Sequence, residues 1–308
     1  MILCCGEALI DMIPAPAAEG QNGFVSHTGG AVFNTAIALG RLGVQAGMLS
    51  GLSRDVFGQQ LLAALTASAV DTSQIIHSDR HSTLAFVQLV DGQATYDFFD
   101  ENSAGRMLTP KDMPALPDTV STLFFGGISL ACEPCADAYA ALMARAGDTR
   151  VVMIDPNIRP GFIKDVARYR DRLNRMIGQA DIIKVSDDDL NWFLPAPLTL
   201  NEKIAVLLDQ GPSVVILTQG GDGATGYLKD GRTVFVPAAK AKVVDTVGAG
   251  DTFNAGVLAH LSAAGLLSKK DLANLSPTDL EAAVQHGARV AAITVSRAGA
   301  NPPWQAEL

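Results

Sequence analysis

The sequence predicts an α/β protein built on a mostly parallel sheet with helices on both faces. Three observations predict it. Beyond residue 120, short apolar runs (122–125, 151–154, 182–185, 214–218) alternate with segments at helical spacing (134–147, 165–178, 187–194, 202–210). Such alternation builds parallel sheets covered on both sides. The 308 residues are 48% hydrophobic, enough for a sizeable core in one large domain or for two domains. No repeat, low-complexity tract or interdomain linker divides the chain.

The elements before residue 120 are less regular. Residues 2–5 and 9–13 read as strands around Gly6-Glu7. A helical pattern with Val32, Phe33, Ala36, Ile37 and Leu39 follows Gly29-Gly30 and ends at Gly43. Residues 46–51 read as a strand and 57–67 as a helix. The runs 83–90 and 93–99 flank Asp91-Gly92, a hairpin signal. Polar Gln88, Thr95 and Asp97 within them suit a half-exposed flap over a site. A second hairpin is expected where 227–229 and 233–236 flank Asp230-Gly231. Helices over 251–264 and 279–291 complete the chain.

The formal net charge is -9, which excludes a basic nucleic-acid footprint. No run approaches the ~18 apolar residues of a membrane span. The N-terminus has no basic region, and Glu7 and Asp11 interrupt its apolar stretch, so it does not read as a secretory signal. A cytoplasmic location is expected. Cys4 and Cys5 sit in a buried strand. Cys132 and Cys135 have a Cys-x-x-Cys spacing but no further metal-ligand pair, so free thiols in a reducing compartment are expected.

The chemistry concentrates in residues 245–253, which read Asp-Thr-Val-Gly-Ala-Gly-Asp-Thr-Phe. Gly248, Ala249 and Gly250 let the backbone approach a ligand closely. They open onto a helix with Phe253, Val257, Leu258 and Leu261 at helical spacing. The unpaired amides of a helix start favour an anion. Asp251 lies in the same turn. A carboxylate to take a proton and donors to hold charge suit phosphoryl transfer to a hydroxyl. The helix start is expected to keep Asp251 ionised. A helix cap is the simpler reading of the same residue.

Other polar residues fall at the carboxyl ends of the expected strands, where open sheets bind ligands. Arg159, after Asp155-Pro156-Asn157, reads as a phosphate ligand or a surface residue. Lys184 ends a buried strand and needs a partner, either phosphate or Asp187 or Asp188. Thr218-Gln219-Gly220-Gly221-Asp222-Gly223 comes directly after another strand. Residues 221–226 match Gly-x-Gly-x-x-Gly, yet residues 226–231 read as strand and turn rather than helix. A dinucleotide oxidoreductase is therefore the weaker reading.

Together these motifs resemble the ribokinase-like (PfkB) family of carbohydrate kinases over nearly the whole chain, nearest to its fructokinases. Residues 245–253 carry the resemblance, with Gly29-Gly30-Ala31-Val32-Phe33-Asn34, Leu39-Gly40-Arg41-Leu42-Gly43 and the opening Gly6-Glu7-Ala8-Leu9-Ile10-Asp11. The resemblance implies one doubly wound domain over 1–308, with a small β lid from roughly 12–30 and 82–106. It implies ATP-dependent phosphorylation of a sugar hydroxyl, with Mg²⁺ accompanying ATP. By the same resemblance Asp251 is the base, and Gly248, Ala249 and Gly250 form the anion hole. Asp11, Gly30 and Asn34 hold sugar hydroxyls, and Asn102 and Arg159 are further sugar ligands. Lys184, Ser186, Thr218, Gly220, Gly221, Gly223, Gly250 and Ala288 hold nucleotide. Asp245, Val247, Thr294 and Gly299 match a monovalent-cation site, which points to K⁺. Relatives pair lids across a homodimer, and exposed Phe98 and Phe99 would fit that or would pack on the parent domain.

Two departures bear on the substrate. Many relatives carry Asn at Ser186. Kinases of acidic keto-sugars often carry an Arg near 99–102, where this chain has Phe99-Asp100-Glu101-Asn102 and the nearest is Arg106. A carboxylate substrate favours a cationic fork. Fructose is therefore expected over 2-keto-3-deoxygluconate. A nucleoside is weaker still, because aromatic residues are only 6% of the chain.

Overall fold

The computed structural model describes residues 1–16, 21–90 and 93–308. The turn Asp91-Gly92 lies outside the described residues. The central sheet contains β1 (Ile2–Cys5), β4 (Ala46–Leu49), β9 (Thr122–Gly126), β10 (Val151–Asp155), β11 (Ile182–Ser186), β12 (Val214–Thr218), β13 (Gly223–Leu228) and β14 (Thr233–Pro237). They are ordered β14-β13-β12-β11-β10-β9-β1-β4. From β4 to β12 every pairing is parallel; β13 and β14 add an antiparallel edge. After β4 the chain crosses back to the other side of β1, so the sheet reverses direction beside β1 and β9. Ligands of such sheets bind at that switch point, outside the strands' carboxyl ends.

Side chains alternate between two cores. Ile2, Cys4, Phe124 and Met153 face α1 (Ala31–Arg41), α2 (Val56–Ala67), α7 (Ala249–Ala263) and α9 (Pro277–Val295). Leu3, Cys5, Phe125 and Val152 face α3 (Cys135–Ala146), α4 (Val166–Ile177), α5 (Asp187–Phe193) and α6 (Leu200–Gln210). Strands buried on both faces print as continuous apolar runs, which is why the sequence shows them.

A smaller sheet, ordered β3-β2-β7-β8, is formed by β2 (Leu9–Pro16), β3 (Asn22–Gly29), β7 (Leu84–Val90) and β8 (Gln93–Phe99). β7 and β8 pair as the expected hairpin. β3 carries no strand signal: Ser26-His27-Thr28-Gly29 has no apolar alternation, and pairing with β2 holds it. Three short elements also lack a signal in the sequence: β5 (Gly51–Ser53), paired with β6 (Ile76–Ser78), and α8 (Lys269–Ala273).

The last hairpin starts earlier than expected. β13 begins at Gly223 and pairs with β12 from Thr218–Ala224 to Val214–Leu228. No helix comes after Gly221-Asp222-Gly223, so the dinucleotide fingerprint lacks its structural context. Among the described residues no helix is long and apolar enough to cross a membrane.

Candidate active site

Two helices at the switch point begin at a glycine, which has no side chain of its own to cap them. α1 starts after Gly30 and α7 after Gly248. Gly248 has φ +76°, and a Cβ there would lie 2.5 Å from that of Ala300, so only glycine starts α7 in this place. The amides of Gly248, Gly250 and Asp251 have no acceptor among the described residues. The Ala249 amide departs from the expected anion hole, because it turns to the Thr246 carbonyl at 3.3 Å. Asp251 contributes its own amide instead. The positive end of α7 thus stays open to an anion.

Asp251 lies in the first turn of α7 and is 8% exposed. Its Oδ2 accepts a hydrogen bond from Asn34 Nδ2 at 2.9 Å, and its carbonyl accepts one from the Thr35 hydroxyl at 3.1 Å. α1 therefore fixes both ends of this residue. Burial pushes the carboxyl up to about 7; the Asn34 bond opposes the rise, Asp155 adds to it and Lys184 opposes it. This corrects the expectation of an ordinary ionised Asp, since loss of water outweighs the Asn34 hydrogen bond and the Lys184 charge.

Lys184 pairs with neither Asp187 nor Asp188, which are exposed at the start of α5. Its Nζ contacts Asp155 Oδ2 at 3.0 Å, and both side chains are buried. Asn254, one turn beyond Asp251, donates to the same oxygen at 2.7 Å. Burial alone would lower the ammonium's affinity for its proton. Asp155 and Asp189 more than offset that and hold it above the ordinary lysine value. Lys184 also borders the helix start: a Cβ on Gly250 would lie 3.3 Å from its Nζ. Asp155 Oδ1 and Asn254 Oδ1 are buried without a hydrogen-bond partner. The sequence places Asp155 near the site but does not single out Asn254, whose signal is its position three residues after Asp251 on one helix face.

The remaining sequence-predicted residues separate into groups. Asp11 on β2 is half-buried, and burial raises its carboxyl to about 6. A Cβ on Gly29 would lie 2.2 Å from Asp11 Oδ2, so the carboxylate lies against the backbone leading to Gly30. Asn102 and Arg159 are exposed. Arg159 bonds the Ile158 carbonyl, and the Asn102 carbonyl accepts from Arg80, so neither bonds Asp251 or Lys184. The Ser186 hydroxyl caps α5 through Asp189. The Thr218 hydroxyl donates to the Val185 carbonyl at 3.4 Å.

Gly220 and Gly221 are exposed, whereas Gly223 is buried in β13. A Cβ on Gly223 would meet the Val236 carbonyl oxygen at 2.2 Å, so close strand approach already requires glycine there. Ala288 lies half-buried on α9. The Asp245 carboxylate accepts from the amides of Val247 at 3.0 Å and Gly299 at 2.8 Å. It draws two loops together beside buried Thr294.

Of the flap aromatics, Phe99 is 59% exposed. Phe98 instead packs edge-on against Phe162 of the parent domain, with centroids 4.4 Å apart. All four cysteines are buried free thiols. Cys132 faces the Asp100 carboxylate at 3.7 Å, and Cys135 faces the Cys132 carbonyl at 3.0 Å.

The profile of the pfkB family of carbohydrate kinases matches residues 1–307. The chain belongs to that family. A fructokinase of Rhizobium leguminosarum bv. trifolii is 51% identical over 275 residues, covering 89% of this chain and 84% of its own. The crystal structure of a Xylella fastidiosa fructokinase with bound ATP superposes with TM-score 0.88 at 26% identity, covering 97% of this chain and 93% of that one. An aminoimidazole riboside kinase of Salmonella enterica, complexed with its riboside and an ATP analogue, gives TM-score 0.81 at 26% identity over 97% and 94% of the two chains. This pfkB chain is an ATP-dependent carbohydrate kinase with the ribokinase-like fold.

Proposed function

We propose that this kinase transfers the γ-phosphoryl group of ATP to D-fructose, giving fructose 6-phosphate, with Asp251 as the base. One observation carries the base assignment. A buried carboxylate, raised to about 7 and oriented by Asn34, lies beside unpaired helix-start amides. The sugar O–H proton passes to Asp251 as the new O–P bond forms and the bond from phosphorus to the ADP oxygen breaks. The amides of Gly250 and Asp251, with Lys184 behind them, hold the charge on the migrating group.

Asp11, Gly30 and Asn34 are the sugar side of the site in this reading. Thr218, Gly220, Gly221, Ser186 and Ala288 are the nucleotide side. The smaller sheet is the lid that excludes water from the transfer.

A neutral sugar fits better than an acidic one. Arg106, the cation nearest the flap end in sequence, is spent on Asp100 at 2.7 Å and on the Glu133 carbonyl at 3.1 Å. It is not free to receive a substrate carboxylate. A nucleoside remains the second reading, favoured by the structural likeness to the riboside kinase.

Mg²⁺ would neutralise phosphate charge. Among the described residues no group of three or more His, Cys, Asp or Glu could hold a metal, which suits an ion that arrives on ATP. K⁺ would be held by Asp245 and the backbone of Val247, Thr294 and Gly299, whose loops Asp245 already joins. Exposed Phe24 and Phe99 on the lid support a lid-to-lid homodimer, and buried free thiols support a cytoplasmic location.

An ADP-release screen over fructose, ribose, 2-keto-3-deoxygluconate, inosine and adenosine tests the substrate. Fructose is expected to give the highest kcat/KM, and a keto-acid or nucleoside ahead of it overturns the choice. Repeating the assay without Mg²⁺ and without K⁺ tests both ions. Light scattering, with a mass above one chain expected, tests the dimer.

A further inference from the structure

We propose that Glu7 is a positioning residue for phosphoryl transfer: its carboxylate fastens the first turn of α1 to the 127–130 turn and so fixes Asn34 against Asp251. The inference rests on Asp251 being the base. Glu7 sits in the turn between β1 and β2. Its Oε1 accepts from the Ala31 amide at 3.1 Å and its Oε2 from the Ser129 amide at 3.2 Å. Its carbonyl accepts from the Phe33 amide at 3.2 Å. α1 has no cap of its own at Gly30; a carboxylate from another element supplies one. Charge-assisted bonds of this kind are stronger than neutral ones.

The surroundings are built around this carboxylate. Gly127 has φ +66°, and a Cβ there would lie 1.9 Å from Glu7 Oε1, so only glycine leaves the carboxylate its place. The Tyr139 hydroxyl holds the turn from below through the Gly6 carbonyl at 3.2 Å. Ala31 and Asn34 are three residues apart, on one helical turn. A shift of that turn moves Asn34 and the adjacent Thr35 together, and these are the two side chains that bond Asp251. Misplacement by about 1 Å can cost ~10²-fold in rate.

Glu7→Gln keeps the size but leaves one amide facing an NH₂ group. Glu7→Asp keeps the charge but is one methylene short of joining both turns. Each is expected to lower kcat for fructose by about tenfold or more, with KM for ATP within about twofold of the parent. Combined with Asn34→Ala, each is expected to lose no more than about twofold beyond the worse single variant, because both act on one geometry.

Losses that multiply overturn the proposal. So does parent-like kcat in a folded Glu7→Gln or Glu7→Asp protein, melting temperature being measured on each. Should Glu7→Gln fail to fold, Glu7→Asp carries the same comparison. Turnover by Asp251→Asn overturns the base assignment instead; with that variant inactive, multiplying losses overturn the role of Glu7 alone.

Discussion

Asp251→Asn is expected to lower kcat with fructose by about 10²–10⁴-fold, the usual worth of a positioned base, while fructose still binds. The substitution keeps the volume and the partner Asn34 and removes only the proton acceptor. Binding measured without turnover, by calorimetry with fructose and a non-hydrolysable ATP analogue, separates the two effects. Near-parent kcat would remove Asp251 from the mechanism.

The parent's pH profile carries the same assignment. A base must be ionised to act, so kcat is expected to rise as pH increases through about 7, where burial has placed this carboxyl, and to level off above. The groups that set the limb are Asn34 and Lys184, which favour the ionised form, and Asp155 and Glu7, which oppose it. Asn34→Ala removes the hydrogen bond to the ionised form, so it is expected to move the limb to higher pH. A limb that stays in place would show that Asn34 does not hold the reacting carboxylate.

The same shift acts on stability with the opposite sense. An acid whose folded value is raised from 3.8 binds its proton more tightly when folded. Its contribution is greatest below 3.8 and is lost as pH rises toward 7. The site gives up stability at working pH to keep a base that titrates there.

Each part of the fold and site is legible in the sequence to the extent that its physics is local. Strands buried on both faces print as apolar runs, so β9 to β12 are readable with their helices. The Gly-Ala-Gly loop before Asp251 is readable because small residues have few other uses at a helix start. Lys184 visibly needs a partner, but the partner is not legible. Asp155 lies 29 positions away, on a neighbouring strand, and only the sheet's register joins the two. Glu7 is hidden for the same reason, since its two amide donors come from segments that meet only in three dimensions. The raised pKa of Asp251 is hidden because the local signal, a helix start, points the opposite way from burial.

Lys184→Met is the substitution expected to harm folding most. It leaves Asp155 buried, with Asn254 on one oxygen and no partner on the other. Breaking a buried pair by removing one partner costs about 3–5 kcal/mol, a large share of a total stability of about 5–15 kcal/mol. Calorimetry should find a melting temperature lower by roughly 5–10 °C. The loss is expected throughout the neutral range, because the pair is complete below the ordinary lysine value of 10.5 and weakens only as pH rises through the higher folded-state value. Adding Asp155→Asn removes the uncompensated charge, so the double variant should recover most of the lost stability. It should not recover activity, because the cation beside Gly250 is still gone. A double variant that regains both stability and kcat would make the ion pair purely structural. One that regains neither would place the cost of the single substitution in packing rather than charge.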